Sequence, residues 1–205
     1  MPMNIQTKLA SHIPDAALLY CVELWKKYHF EFKITRKRIT KAGDYRYNPS
    51  NKSHCISVNN NLNHYAFLIT YIHEVAHRVV MNEFGRSVKP HGNEWKNCFR
   101  QLMLPLLNPN VFPDDVLRSL SGYMRSPKAS SYSDIALTQC LRNYDNAQNG
   151  KSKTLNSLLP GQTFHFHKRQ FEKEATKRTR VICKELKTGR KYLIPALAIV
   201  DLLEG

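Results

Sequence analysis

The chain has 205 residues and a formal net charge of +15, because 31 Lys and Arg face 16 Asp and Glu. Its first residues lack the charged-then-apolar pattern of a secretory signal, and no apolar run is long enough to span a membrane, so we expect an intracellular, cytoplasmic protein without a membrane partner. The five isolated cysteines fit a reducing compartment and exclude a disulfide-rich scaffold. This length can bury one core and a smaller appended module.

The N-terminal third of the sequence predicts a helix followed by short strands. Residues 11–30 have an amphipathic helical pattern, and residues 32–40 and 55–58 are β-prone. Gly43 and Asn48-Pro49 punctuate the link between the two predicted strands.

A second helix is predicted from apolar residues that recur at helical spacing. Asn61 or Asn63 is placed to cap its N-terminus, and Gly85 is placed to end it. The buried stripe of this helix consists of Leu68, Ile72, Val75 and Val79.

The sequence His73-Glu74-Val75-Ala76-His77 lies within this helix. Histidines four residues apart share one helical face, so both imidazoles can bind one metal ion. Glu74 projects toward the same site, where a carboxylate can act as a general base on metal-bound water. The pattern predicts one catalytic Zn²⁺, since hydrolysis of peptide bonds by zinc enzymes requires this combination. The alternative is a buried helix whose histidines are only hydrogen-bonded.

A catalytic zinc site needs a third protein ligand and one open position. His91 lies in a segment that follows the polar loop after Gly85, and this loop could return the chain to the metal. Glu94 is the alternative third ligand. If it does not bind the metal itself, it can orient one of the metal ligands through a hydrogen bond. We favour His91.

These motifs resemble the SprT-like family, which includes Spartan-type proteases. The resemblance rests on the HExxH sequence followed, after a short loop, by His91-Gly92-Asn93-Glu94-Trp95, and it extends over about residues 10–110. It implies that His73, His77 and His91 bind zinc and that Glu74 is the general base. It also implies a protein substrate and a role in DNA repair, because Spartan-type enzymes act on proteins crosslinked to DNA.

The C-terminal half departs from that family. Many SprT-like proteins end in a zinc ribbon built from two Cys pairs, whereas no CxxC sequence occurs here. A second metal site formed by His165, His167 and Cys183 is the less favoured interpretation, since both histidines alternate with phenylalanines as on the polar face of a half-buried strand.

Further elements follow in chain order. Helices are predicted over residues 94–104 and from 114 onward, and a short one over residues 134–144 lies within a polar linker. Strands are predicted over residues 163–167, 180–183 and 192–194, with a hairpin turn at Lys187-Thr188-Gly189-Arg190.

The sequence therefore predicts an α+β fold in three parts. Residues 1–120 form a zincin-like helix-and-small-sheet metalloprotease core, residues 121–157 form a partly helical linker, and residues 158–205 form a small basic β module.

Positive charge is concentrated in this last module, where residues 168–191 hold ten basic and three acidic side chains. Such density attracts polyanions, so we expect nucleic-acid binding, single-stranded DNA included. The alternative is a solvated basic surface. The candidate contact residues are Lys168, Arg169, Lys177, Arg178, Arg180, Arg190 and Lys191.

Taken together, these features predict a zinc metallopeptidase that acts on DNA-associated proteins. Two other hypotheses stay open: a nucleic-acid-binding protein with a catalytically silent zinc site, and a metallohydrolase with a non-protein substrate. The donor that stabilises the oxyanion is not identified by the sequence, which offers Tyr45, Tyr47, Tyr65 and Tyr71.

Overall fold

The computed structural model describes residues 4–128, 134–145 and 152–203. They belong to two compact units, residues 1–145 and 146–205. The described residues contain six α-helices and two β-sheets, which agrees with the α+β class. The predicted three-part division of the chain stays a prediction.

Two helices open the first unit. The short helix α1 (Ile5–Ala10) was not predicted, and its N-terminus is capped by Asn4. Helix α2 (Asp15–Tyr28) confirms the helix predicted over residues 11–30. It ends at His29, whose φ of 44° takes the chain out of the helix.

A three-stranded sheet follows, with strands β1 (Glu31–Thr35), β2 (Gly43–Asn48) and β3 (Ser53–Asn59) in the order β1-β3-β2. Strand β1 is parallel to β3, and β2 is antiparallel to it. The strand predicted over residues 32–40 ends at Thr35, opposite Asn59, the last residue of β3. Beyond it, Arg38 turns back to the sheet. Its Nε donates to Asn59 Oδ1 at 2.7 Å.

Helix α3 (His64–Phe84) is the central element of this unit. Asn63 caps it by accepting the Ala66 N–H, and Gly85, with φ of 61°, follows its last turn, so both predicted boundaries are confirmed. The helix packs against β2 and β3 on one side and against helix α4 (Asn93–Met103) on the other. The helix is buried over most of its length, so several of its polar side chains lie in the interior and not in solvent. Buried polar side chains are uncommon and point to a specific role.

Two further helices complete the first unit. Helix α5 (Asp114–Met124) packs against α6 (Ile135–Arg142), and Tyr144 donates its hydroxyl to Asp115 Oδ1 at 2.7 Å. No helix in the described part of the chain is long and apolar enough to cross a membrane.

The second unit is a six-stranded antiparallel sheet in the order β4-β9-β5-β6-β7-β8. The predicted strands near residues 163, 180 and 192 are confirmed, and three others were missed. The strands are β4 (Ser152–Thr154), β5 (Thr163–Phe166), β6 (Arg169–Lys177), β7 (Arg180–Glu185), β8 (Lys191–Pro195) and β9 (Ile199–Leu202).

Lys173 is buried in this sheet with 3% of its surface exposed. Its ammonium group donates to the carbonyl oxygens of Leu155, Asn156 and Leu158 at 3.2, 3.1 and 2.6 Å. These bonds use all three ammonium donors, so the lysine holds the segment after β4 against β6.

Replacing Lys173 by methionine is expected to lower the free energy of unfolding by about 2–4 kcal/mol, because three carbonyl groups lose a buried partner. Lys177→Met, at an exposed position of the same strand, should change it by no more than about 0.5 kcal/mol. Urea unfolding followed by far-UV circular dichroism compares the two. Equal stability of both variants would contradict the structural role of Lys173.

Candidate metal centre

Helix α3 presents His73, Glu74 and His77 from a buried surface. His73 and Glu74 are 9% and 7% exposed, whereas His77 is half-buried. The two histidines lie one turn apart, and their ring centroids are 5.1 Å apart. The local sequence achieves this because the apolar residues around the motif bury the helix on every other side.

His91 reaches the same point from the loop between α3 and α4. Its Nε2 lies 3.2 Å from His73 Nε2 and 2.9 Å from His77 Nε2. The backbone of His91 has a φ of 59°, a left-handed conformation that L-residues rarely adopt. A strained backbone at this residue is explained by the position that its side chain must reach.

The three imidazoles fit a metal ion. One proton cannot occupy both contacts of His91 Nε2, so the remaining contact brings two lone pairs together unless a cation lies between them. Tetrahedral zinc with bonds of about 2.0–2.1 Å holds its nitrogen ligands roughly 3.3 Å apart, which is near the spacing observed. Within the described residues, this is the group of His, Cys, Asp or Glu side chains that could hold an ion.

The electrostatics keep the three histidines in the form that binds metals. Burial, with His77 and His91 nearby, lowers the pKa of His73 well below its usual range. Burial and His91 lower the pKa of His77 to about 3, and burial lowers the pKa of His91. Neutral imidazoles with available lone pairs therefore dominate at physiological pH.

Trp95 forms one wall of this group. Its ring centroid lies 4.5 Å from that of His73, 4.8 Å from His91 and 5.4 Å from His77, and Phe99 stacks behind it at 5.0 Å. Because Trp95 is fully buried, it fixes the orientation of all three imidazoles by packing.

Strand β2 contacts the carboxylate of Glu74. The backbone N–H of Tyr45 donates to this carboxylate. Burial and the neighbouring Asp44 raise the pKa of Glu74 to about 8, although Arg38 and the Tyr45 N–H act in the opposite direction. A carboxyl group in this range can accept and release a proton near neutral pH.

Gly43 makes this close approach possible. A Cβ atom at Gly43 would lie 2.5 Å from Glu74 Oε1 and 2.6 Å from Thr70 Cγ2. Only glycine allows β2 to lie so near α3. The sequence identified Gly43 as a turn residue and missed this role, because β2 itself was not predicted.

The other candidates lie around the site rather than in it. The structure does not bring Glu94 into the histidine group, and its carboxylate lies beside Gly92. Tyr71 donates its hydroxyl to Cys21 O, and Tyr65 packs on Phe112, so neither hydroxyl faces the histidines.

Among the candidate tyrosines, Tyr45 packs on the histidine group. Its ring is parallel to that of His77 at 6.4 Å, and its hydroxyl contacts His54 Nδ1 at 2.8 Å. Tyr47 lies further along β2 and packs on His54 at 4.9 Å. Tyr45 and Tyr47, which are two residues apart on β2, thus both pack against His54.

The predicted basic residues of the second unit divide into two groups at opposite ends of strand β6. One group lies near the start of β6, where Arg169 pairs with Phe166 of β5 and, two strands away, Lys191 of β8 pairs with Lys184 of β7. The other group lies at the end of β6, where Lys177 pairs with Arg180 of β7. The first group consists of Lys168, Arg169, Arg190 and Lys191, and the second of Lys177, Arg178 and Arg180.

Carboxylates of the sheet occupy part of the first group. Arg169 forms an ion pair with Glu185 at 2.5 Å and stacks over Tyr192, and Lys191 pairs with Glu174 at 2.9 Å. Lys177 and Arg178 are exposed, and no ion pair of theirs is found among the described residues. The second group therefore offers the charge that is available to a partner.

Comparison with known protein families supports the SprT-like resemblance that the histidine group suggests. Residues 17–113 match the model of the SprT-like family. No curated protein and no solved structure matches the chain. The resemblance seen in the sequence is thus confirmed over residues 17–113, and the SprT-like family is generally of zinc-metallopeptidase type.

His91→Asn is expected to reduce zinc binding by at least about 100-fold while the fold is kept, because asparagine tolerates a positive φ and removes the third imidazole. His64→Asn, at an exposed histidine that opens α3, is the control and should bind zinc normally. Zinc titration against a competing chelator measures both. Unchanged affinity in His91→Asn would remove His91 from the ligand set.

Proposed function

We propose that the chain is a zinc-dependent metallopeptidase with a zincin-like core. The observation that carries this proposal is the convergence of the Nε2 atoms of His73, His77 and His91 at 2.9 and 3.2 Å, beside a buried glutamate. When bound there, zinc supplies Lewis acidity and brings the pKa of a bound water toward neutrality.

The chain's own residues then handle the proton. Glu74 accepts it as the water attacks the peptide carbonyl, and it delivers the proton to the leaving amine. Tyr45 orients the carboxylate through its backbone N–H, and Trp95 keeps the imidazoles in place. Burial raises the pKa of Tyr45 to about 12, so its hydroxyl stays protonated. In the tautomer in which His54 Nδ1 donates to it, the hydroxyl can donate its own proton to the developing oxyanion.

A polypeptide substrate is supported by the position of β2. Among the described strands, β2 pairs only with β3, so its other edge is unpaired. Gly43 of β2 lies against Glu74, and Tyr45 packs on His77. An extended peptide can pair with such an edge through backbone hydrogen bonds. A small amide or ester would leave these groups unused.

We further propose that the substrates are DNA-associated proteins. The support is the net charge of +15 and the exposed group of Lys177, Arg178 and Arg180 at the end of β6. Lysine and arginine side chains that contact phosphates release counterions, which gives a salt-sensitive affinity for nucleic acid.

The first experiment tests cleavage. The purified chain with one zinc is incubated with a DNA-binding protein, with and without single-stranded DNA. Cleavage that DNA stimulates, and that is absent in Glu74→Gln, is expected. Zinc binding and DNA binding without any cleavage would favour a nucleic-acid-binding protein with a silent site, whereas cleavage indifferent to DNA would overturn the DNA part of the proposal.

A second experiment tests the basic group. Replacing Lys177 and Arg178 by alanine should weaken binding to single-stranded DNA and reduce the slope of log K against log salt by about 1.4, because two phosphate contacts are lost. The matched control replaces Lys26 and Lys37, two exposed lysines of the first unit. An equal loss in both double variants would indicate an effect of net charge alone.

A further inference from the structure

A cavity of about 370 Å³ lies beside the histidine group in the first unit. The C-terminal part of α3 and the residue pair Tyr47 and His54 of β2 and β3 form its walls. The helix contributes Arg78, Met81 and Asn82, and Arg86 stands at the end of the helix with its guanidinium 5.5 Å from the Tyr47 ring centroid.

Arg78 is the unusual residue of this cavity. It is 8% exposed, and its Nε is buried and has no hydrogen-bond partner in the described part of the chain. Nη1 has one long contact with Asn82 Oδ1, at 3.5 Å, and no carboxylate among the described residues pairs with the guanidinium. A buried cation without an anion is costly, so the cavity is electrostatically prepared for an anionic ligand.

The cavity adjoins the proposed catalytic residues through stacked rings. Tyr45 is parallel to His77 at 6.4 Å and to His54 at 6.0 Å, so one tyrosine ring separates the histidine group from the cavity wall. Tyr47, two residues after Tyr45 on β2, lines the cavity together with Arg78. A side chain of a substrate whose backbone follows β2 past Tyr45 would therefore come near Arg78.

We propose that this cavity is a specificity subsite for an acidic side chain, Glu or Asp, near the scissile bond of the protein substrate. The proposal rests on the peptidase function proposed above. Arginine binds carboxylates through two parallel hydrogen bonds, and Arg86 at the rim adds a second positive charge. Met81 and Tyr47 supply the apolar contacts that the methylene groups of a glutamate require.

A single side chain fits this site better than a nucleic-acid backbone. A strand of DNA presents successive phosphates along an extended groove, and it binds surfaces that are basic over several residues. Here the lining contains one buried guanidinium, with Arg86 at the rim, and no extended row of basic residues. This arrangement favours a ligand with a single anionic group.

The test compares substrates that differ only in charge. The zinc-loaded chain is given a peptide library with Glu or Gln at each position, and products are mapped by mass spectrometry. We expect a preference of at least about tenfold for Glu over Gln at one position near the cleavage site. Arg78→Met should reduce this ratio to about one, and Arg86→Met should reduce it partly.

Arg118→Met is the matched control, because Arg118 is exposed on α5 and does not line the cavity; it should keep the ratio of the wild type. Zinc content and thermal unfolding of each variant report whether the site has remained folded. Cleavage of Glu and Gln peptides at equal rates by the wild type would overturn the subsite while leaving the peptidase function intact.

A binding measurement separates the two proposals. Zinc-loaded Glu74→Gln is titrated with labelled Glu and Gln versions of one peptide, and fluorescence anisotropy is recorded. Tighter binding of the Glu peptide, lost in the Arg78→Met background, would support the subsite even if no cleavage were found. If the Glu and Gln peptides bind equally tightly while a single-stranded oligonucleotide binds more weakly to the Arg78→Met background, the ligand is a phosphate and the carboxylate assignment is wrong.

Discussion

Glu74→Gln is expected to reduce peptide hydrolysis by at least about 10³-fold while one zinc per chain is retained. The amide keeps the shape of the carboxylate and its contact with the Tyr45 N–H, but it cannot accept a proton from the attacking water. The three imidazoles that bind the metal are unchanged. Zinc content by atomic absorption, together with the cleavage rate, checks both parts of the expectation.

The matched variant is His73→Ala, in which metal and activity should be lost together. A three-histidine site that loses one ligand no longer satisfies tetrahedral zinc with an open position. If Glu74→Gln also released the metal, Glu74 would be a ligand rather than a base. If His73→Ala kept both metal and activity, His73 would not be a metal ligand.

The pairing of His73 with His77 in a group that could hold a metal was predictable because local sequence determines it. Two histidines separated by one helical turn meet whenever the helix forms, and the apolar stripe that includes Leu68 and Val75 guaranteed that it would. The position of His91 was harder to predict, since a loop residue reaches His73 and His77 only if α4 packs beside α3. Gly85, which ends α3, and Trp95, an apolar residue of the segment that follows the loop, indicated that the chain turns back toward α3.

Strand β2 could not be predicted, although the site depends on it. Its sequence Gly-Asp-Tyr-Arg-Tyr-Asn contains three residues that are depleted in strands, so local preference favoured a loop. Pairing with β3 overrides that preference, and the pairing is a tertiary contact that no local pattern encodes. The roles of Gly43 and Tyr45 were hidden for the same reason.

Arg78 was equally invisible in the sequence. The sequence does not distinguish an arginine that faces solvent from one that faces a cavity, and most arginines are exposed. Only the position of Tyr47 and His54 against the last turns of α3 shows that its guanidinium is buried beside a cavity. The surroundings of Glu74 and Arg78 thus depend on β2, although α3 carries both residues.

Gly43→Ala provides the sharpest test of that dependence, and a loss of catalytic rate of about 100-fold is expected with zinc still bound. The new Cβ would meet Glu74 Oε1 at 2.5 Å and Thr70 Cγ2 at 2.6 Å, distances that real Cβ atoms do not adopt. Either the carboxylate turns away or β2 moves from α3, and a shift of about 1 Å in a catalytic group costs roughly this factor. Overpacking should also lower the unfolding free energy by about 1–3 kcal/mol.

The control for Gly43→Ala is Gly122→Ala in α5, where a Cβ meets nothing within 4 Å. This substitution should keep full activity and stabilise the chain by about 0.5–1 kcal/mol, because alanine favours the helix. Adding Thr70→Ser to Gly43→Ala removes the methyl contact but not the contact with Glu74. Stability should then recover in part while the rate stays low; a double variant that regained both would show that Gly43 protects the packing of α3 and not the position of the general base.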